Sequence, residues 1–120
     1  MSRNWTYFFW AAAAYNLVIG TLGFIDPAGT ADNKAIALLV FSFGIVYALV
    51  ARQPLRLAPV LWAGVFGKLS MVALMGPVAL GEGADARLAP ILVGDFLFTC
   101  GFLAFLLGPA KRHAATGGAR

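Results

Sequence analysis

The sequence predicts an all-α protein, a four-transmembrane-helix bundle whose helices run up and down antiparallel. Three observations predict it. Hydrophobic residues make up 61% of the chain and charged residues only 12%, with a mean hydropathy of +0.83. That is too little charge to clothe a soluble domain of 120 residues. The apolar residues fall in four long runs, with nearly all the charge between them. Each run fits the roughly 17 to 25 residues that a helix needs to cross the hydrocarbon of a bilayer.

The first run extends from Trp5 to Ile25 and is closed by Asp26-Pro27. It reads as a retained helix and not a cleaved leader: only Arg3 flanks it, the apolar stretch is long, and no polar cleavage region follows. The second run covers Ala35 to Ala51 and is closed by Arg52-Gln53-Pro54. A third begins near Leu57 and continues to about Leu80; Gly76-Pro77 lies inside it and predicts a kink or an early end. The fourth covers Leu88 to Leu107, followed by Gly108-Pro109. Pro59 and Pro90 fall in first turns, and Pro54 and Pro109 beyond helix ends, where a missing N–H is harmless. Residues 1–110 therefore read as one transmembrane domain. Residues 111–120, KRHAATGGAR, read as a short basic tail without regular structure.

Orientation follows from the basic residues in the short flanks. One side receives Arg3, Arg52, Arg56, Lys111, Arg112 and Arg120. The other receives Lys34 and Arg87, beside Asp26, Asp32, Glu82 and Asp85. The bias predicts a multi-pass protein of the bacterial inner (plasma) membrane with both termini cytoplasmic. Trp5, Tyr7, Trp10 and Trp62 lie near the inner boundary, as an aromatic belt does.

Two ionisable residues remain inside the runs, Lys68 in the third and Asp95 in the fourth. Each costs about 2.5 to 3.5 kcal/mol at a helix centre, so each is expected to face inward and find a partner. At about 1.5 Å per residue, Lys68 lies roughly 18 Å and Asp95 roughly 10 Å below the outer boundary, a gap an extended lysine can span. Asn16 of the first helix falls between them, at roughly 13 Å, with Ser42 and Ser70 in the same band. Helix faces agree: Gly64, Gly67, Lys68 and Met71 share a side, as do Ala12, Asn16 and Gly20, and Ile91, Asp95, Phe98 and Phe102. Asn16, Lys68 and Asp95 are thus the candidate ligand-binding residues. Cys100, Tyr47 and the methionines read as packing.

Several functions are excluded by what the runs lack. The basic residues form no stripe and have no aromatic interleaving, so nucleic acid is not a partner. The one histidine, His113, lies in the tail, which rules out bis-histidine haem ligation. No Cys, His and carboxylate cluster marks a metal site, no cofactor pattern is present, and the single Cys100 has no CxxC partner. A retinal Schiff base on Lys68 would need more than four helices to enclose it. Small multidrug exporters match in size but carry an acidic residue in their first helix, absent here.

Tyr15-Asn16-Leu17 with Gly20, Ala51-Arg52 with Pro54 and Arg56, Gly64 with Gly67-Lys68, and Asp95 carry a resemblance. Together they resemble a group of small bacterial four-helix membrane proteins to which no activity is firmly attached. The likeness runs from the first helix to the fourth. Where that group has Asp, His and Asn, this chain has Gln53, Leu57 and Gly94, so no role passes to those positions. The resemblance implies the fold and the polar positions. A looser similarity to DoxX-like proteins implies a redox-linked or accessory role.

Two functions are consistent with these residues. One is an intramembrane polar site that binds or transports a small anion, polar metabolite or proton, with no catalytic constellation legible. The other is a structural or accessory subunit whose buried charge pair only fixes helix register. The lipid bilayer is the partner in either case, with a second copy or another membrane subunit beside it.

Overall fold

The computed structural model describes residues 3–81 and 88–115, with the side chains of 114 and 115 excepted. Described residues form helices joined by short turns and irregular stretches: α1 (Arg3–Ile25), α2 (Ala31–Arg52), a 3-10 turn (Ala58–Val60), α3 (Leu61–Ala79), α4 (Leu88–Leu107) and α5 (Pro109–Ala115). Four of the helices are long and apolar enough to cross a membrane. The all-α, four-helix reading therefore holds. The chain divides into two compact units, Met1–Ala58 and Pro59–Arg120.

The first unit is the α1–α2 hairpin. Asp26-Pro27-Ala28-Gly29 makes its turn: the Ala28 N–H donates to Asp26 Oδ1 at 2.9 Å and the Gly29 N–H to the Asp26 carbonyl at 3.1 Å. Thr30 then caps α2, its hydroxyl oxygen accepting from the Asn33 N–H at 3.1 Å and donating to Asn33 Oδ1 at 2.9 Å. This cap starts α2 four residues ahead of the apolar run expected from Ala35. A first turn bearing Asp32 and Lys34 is polar yet helical, and Asp32 suits the positive helix end. Lys34 turns back, and its Nζ donates to the carbonyls of Phe24 at 2.6 Å and Asp26 at 3.0 Å. It thereby satisfies acceptors that the end of α1 leaves open.

The buried face of α1 is Phe9, Ala12, Ala13, Asn16 and Gly20; that of α2 is Ala37, Gly44, Tyr47, Val50 and Ala51. The expected stripe of Ala12, Asn16 and Gly20 is thus an interior face. A Cβ on Gly20 would lie 2.8 Å from the Ala37 carbonyl oxygen and the Phe41 nitrogen, both backbone atoms of α2. On the other side, a Cβ on Gly44 would lie 3.0 Å from the Leu17 nitrogen. Small residues let these helices meet backbone to backbone.

The second unit holds α3, α4 and α5. The 3-10 turn takes Pro59, and α3 buries Leu61, Gly64, Val65 and Lys68 at i, i+3, i+4, i+7 spacing. Pro77 does not stop α3 at once: the helix continues to Ala79, and the Leu80 N–H donates to the Gly76 carbonyl at 3.1 Å. A proline this close to the end removes a single intrahelical bond, to the carbonyl four residues back. Helix α4 has the expected bounds and buries Leu92, Thr99, Phe102, Phe105 and Leu106. The tail departs from expectation. It opens as the helix α5, with Pro109 at the first position and the Arg112 N–H on the Gly108 carbonyl at 2.9 Å. The third-loop residues Glu82, Asp85 and Arg87, and the end of the tail including Arg120, lie outside the described residues.

Large apolar side chains cover the outside of every long helix, among them Leu39 at 63%, Phe66 at 75% and Leu97 at 62% exposure. An apolar surface this extensive belongs in hydrocarbon, the setting of a multi-pass membrane protein. Tyr7, Trp10 and Trp62 also point outward.

Candidate functional site

Lys68 and Asp95 meet. Lys68 is on the buried face of α3, 11 residues before its end at Ala79; Asp95 is seven residues into α4 from Leu88. In antiparallel helices that leaves an offset of about 6 Å along the axis, which the four-carbon lysine stem covers. Lys68 Nζ donates to Asp95 Oδ1 at 2.8 Å, with side-chain exposures of 7% for the lysine and 14% for the aspartate. A hydrogen bond between full charges at this distance is among the strong ones. Pairing also offsets part of the cost that either charge alone would carry within an apolar span.

The surroundings favour the ammonium more than the carboxylate. Lys68 Nζ lies 5.9 Å from the centroid of the Phe98 ring, one turn along α4 from Asp95. Phe98 in turn leans on Phe102, which is fully buried, at 6.4 Å between centroids. Thr99 is buried, and its hydroxyl donates to the backbone carbonyl of Asp95 at 2.8 Å, not to the carboxylate. Among the described residues the Asp95 side chain thus has one bond, through Oδ1. No buried side-chain nitrogen or oxygen lacks a partner among those residues, so Oδ2 reaches the surface of the helix pair.

Asn16 belongs to the other unit. It is buried on α1, and its Nδ2 donates to the Val40 carbonyl of α2 at 3.1 Å, so its amide ties the first hairpin together. Ser42 and Ser70, expected at the same depth, are both exposed, and the Ser42 hydroxyl donates to the Leu38 carbonyl of its own helix at 2.8 Å. Gly67 shares the side of Lys68 less closely than its spacing suggests, since a Cβ there meets nothing within 4 Å. On α4 the buried face is turned from the expected one: Phe102 is interior, whereas Ile91, Asp95 and Phe98 are half-buried at its margin. Cys100 faces outward and does not pack inside. Tyr47 is buried, as a packing residue should be.

Thr99 and Lys34 are the polar residues whose roles the sequence reading passed over. A threonine four residues after an intrahelical aspartate signals the first, because its hydroxyl returns to the i−4 carbonyl. A lysine just past a tight turn signals the second. No three His, Cys, Asp or Glu side chains come together among the described residues. No family model, curated protein or solved structure matches the chain.

Proposed function

We propose that this is a small bacterial inner-membrane protein whose α3–α4 hairpin carries an intramembrane polar site for a small polar ligand or a proton. The observation that carries the reading is the Lys68–Asp95 pair itself, two full charges within apolar spans and 2.8 Å apart. Ionisable groups at such positions are rare and concentrate along the paths of ions, protons and ligands. The proposed orientation has both termini cytoplasmic, supported by the excess of Arg and Lys on that side. Lys34 strengthens the bias: as one of only two basic residues on the opposite side, it is engaged in capping α1. Alkaline phosphatase fused after Asp32 or Asp85 is expected to be active, and after Arg56 or Arg112 inactive; activity at Arg56 would overturn the orientation.

A second reading, an accessory subunit with a purely structural pair, is favoured by the direct contact and by the absence of any unsatisfied buried side-chain atom among the described residues. Complementation of a deletion strain, normalised to protein abundance in the membrane, separates the two. The uncharged double variant Lys68→Met with Asp95→Leu is expected to be stable but inactive. Full complementation by that variant would leave only the structural reading.

A further inference from the structure

The two members of the charge pair are not equally available, and the difference selects the kind of ligand. Lys68 is the more deeply buried, and its ammonium has both the Asp95 carboxylate and the Phe98 ring face. Asp95 is twice as exposed, uses one oxygen on Lys68, and keeps Oδ2 at the surface with no bond from any described residue. A carboxylate has about four acceptor positions, so most of its capacity is unused. An approaching molecule therefore meets an acceptor, and an anion would have to displace Asp95 to reach the ammonium.

We propose that the site takes a proton or a small hydrogen-bond-donating cation at Asp95 Oδ2 and does not take an anion. This rests on the polar-site reading and names its ligand class. When the ligand is a proton, an O–H bond forms at Oδ2 with a proton drawn from water, and Asp95 becomes neutral. Lys68 then keeps its charge, its contact with a neutral acid and its place over Phe98. When the ligand is an ammonium, its N–H donates to Oδ2 while Oδ1 stays on Lys68, so one carboxylate bridges two cations. Within α3, α4 and α5 few other charges compete. Lys68 is the only titratable side chain of α3, and α4 adds only Cys100, which faces outward. Lys111, Arg112 and His113 of α5 begin 16 residues further along the chain, about 24 Å away in helical rise.

Carbon-13 carboxyl signals of aspartate and nitrogen-15 signals of lysine Nζ, recorded on the full chain in phosphatidylcholine nanodiscs, test this. Asp95→Asn assigns the Asp95 signal. Should that variant not fold, the triple variant Asp26→Asn, Asp32→Asn, Asp85→Asn leaves Asp95 as the only aspartate. Acidification, methylammonium at constant pH and ionic strength, and acetate under the same conditions are the three arms. The expected result is a saturable shift of the Asp95 carboxyl signal in the first or second arm, which tells proton from cation, and no shift of Lys68 with acetate. A saturable Lys68 shift with acetate while Asp95 is silent would overturn the ligand class but leave a polar binding site. Silence of both residues in all three arms would overturn the ligand class and the polar-site reading together.

Discussion

In the α1–α2 hairpin the helices close on missing side chains, Gly20 against the backbone of Ala37 and Phe41, and Gly44 against Leu17. In the α3–α4 hairpin they are joined across two charged side chains, Lys68 and Asp95. Each hairpin also carries a polar link between its two long helices, and the links differ in kind. Asn16 to the Val40 carbonyl is a neutral bond whose strength does not change with pH or with a bound ion. Lys68 to Asp95 is an ion pair, in which each side chain depends on the charge of the other. The site proposed above therefore rests on the second hairpin, whereas the first is held by close packing of its helix backbones.

Breaking the ion pair is expected to have the largest effect. Lys68→Met alone leaves the Asp95 carboxylate without its cation and should cost about 3 to 5 kcal/mol or force protonation. Adding Asp95→Leu should restore most of that loss in a thermal or detergent unfolding assay. Losses that simply add in the double variant would show that the two residues do not support each other. Next comes the steric contact. Gly20→Ala drives a methyl to within 2.8 Å of α2 backbone atoms, which cannot rotate away, and should cost about 1 to 3 kcal/mol. Gly67→Ala is its control in the other hairpin: the space is open, and helix propensity predicts a gain of up to about 1 kcal/mol. Equal losses at both glycines would remove the contrast between the hairpins.

Asn16→Ala removes the bond to Val40 and should cost about 0.6 kcal/mol, with an upper bound near 1.7. A loss as large as that of Lys68→Met would make the first hairpin as dependent on polar pairing as the second. Smallest is Lys34→Met, which uncaps α1 and should cost about 0.3 to 1 kcal/mol, with the phosphatase fusion pattern unchanged. Inversion of that pattern would mean that Lys34 acts in setting topology as well as in capping.

Local chemistry made much of this legible. Composition and run length give four apolar helices because a bilayer accepts little else, and the bounds of α4 follow from its run alone. The start of α2 was hidden because hydropathy ends where polarity begins, whereas a helix ends where its caps are. Thr30 and Asn33 carry that signal in a segment with no apolar content. The opening of the tail was hidden for a related reason: basic composition argued against order, yet Pro109 after Gly108 starts a helical turn.

At the site, the residues alone show that Lys68 and Asp95 need partners and stand at depths a lysine can bridge, because charge within hydrocarbon must be compensated. They also show that Ala12, Asn16 and Gly20 share a face, because helical periodicity fixes that. Tertiary packing, by contrast, sets the bond from Asn16 to Val40 within its own hairpin and makes Asp95 the more exposed partner of the charge pair. The rotation of α4 about its axis sets the second of these, placing Thr99 and Phe102 inside and Asp95 at the margin. An almost uniformly apolar helix such as α4 does not encode that rotation in its hydropathy. The packing of neighbouring side chains sets it.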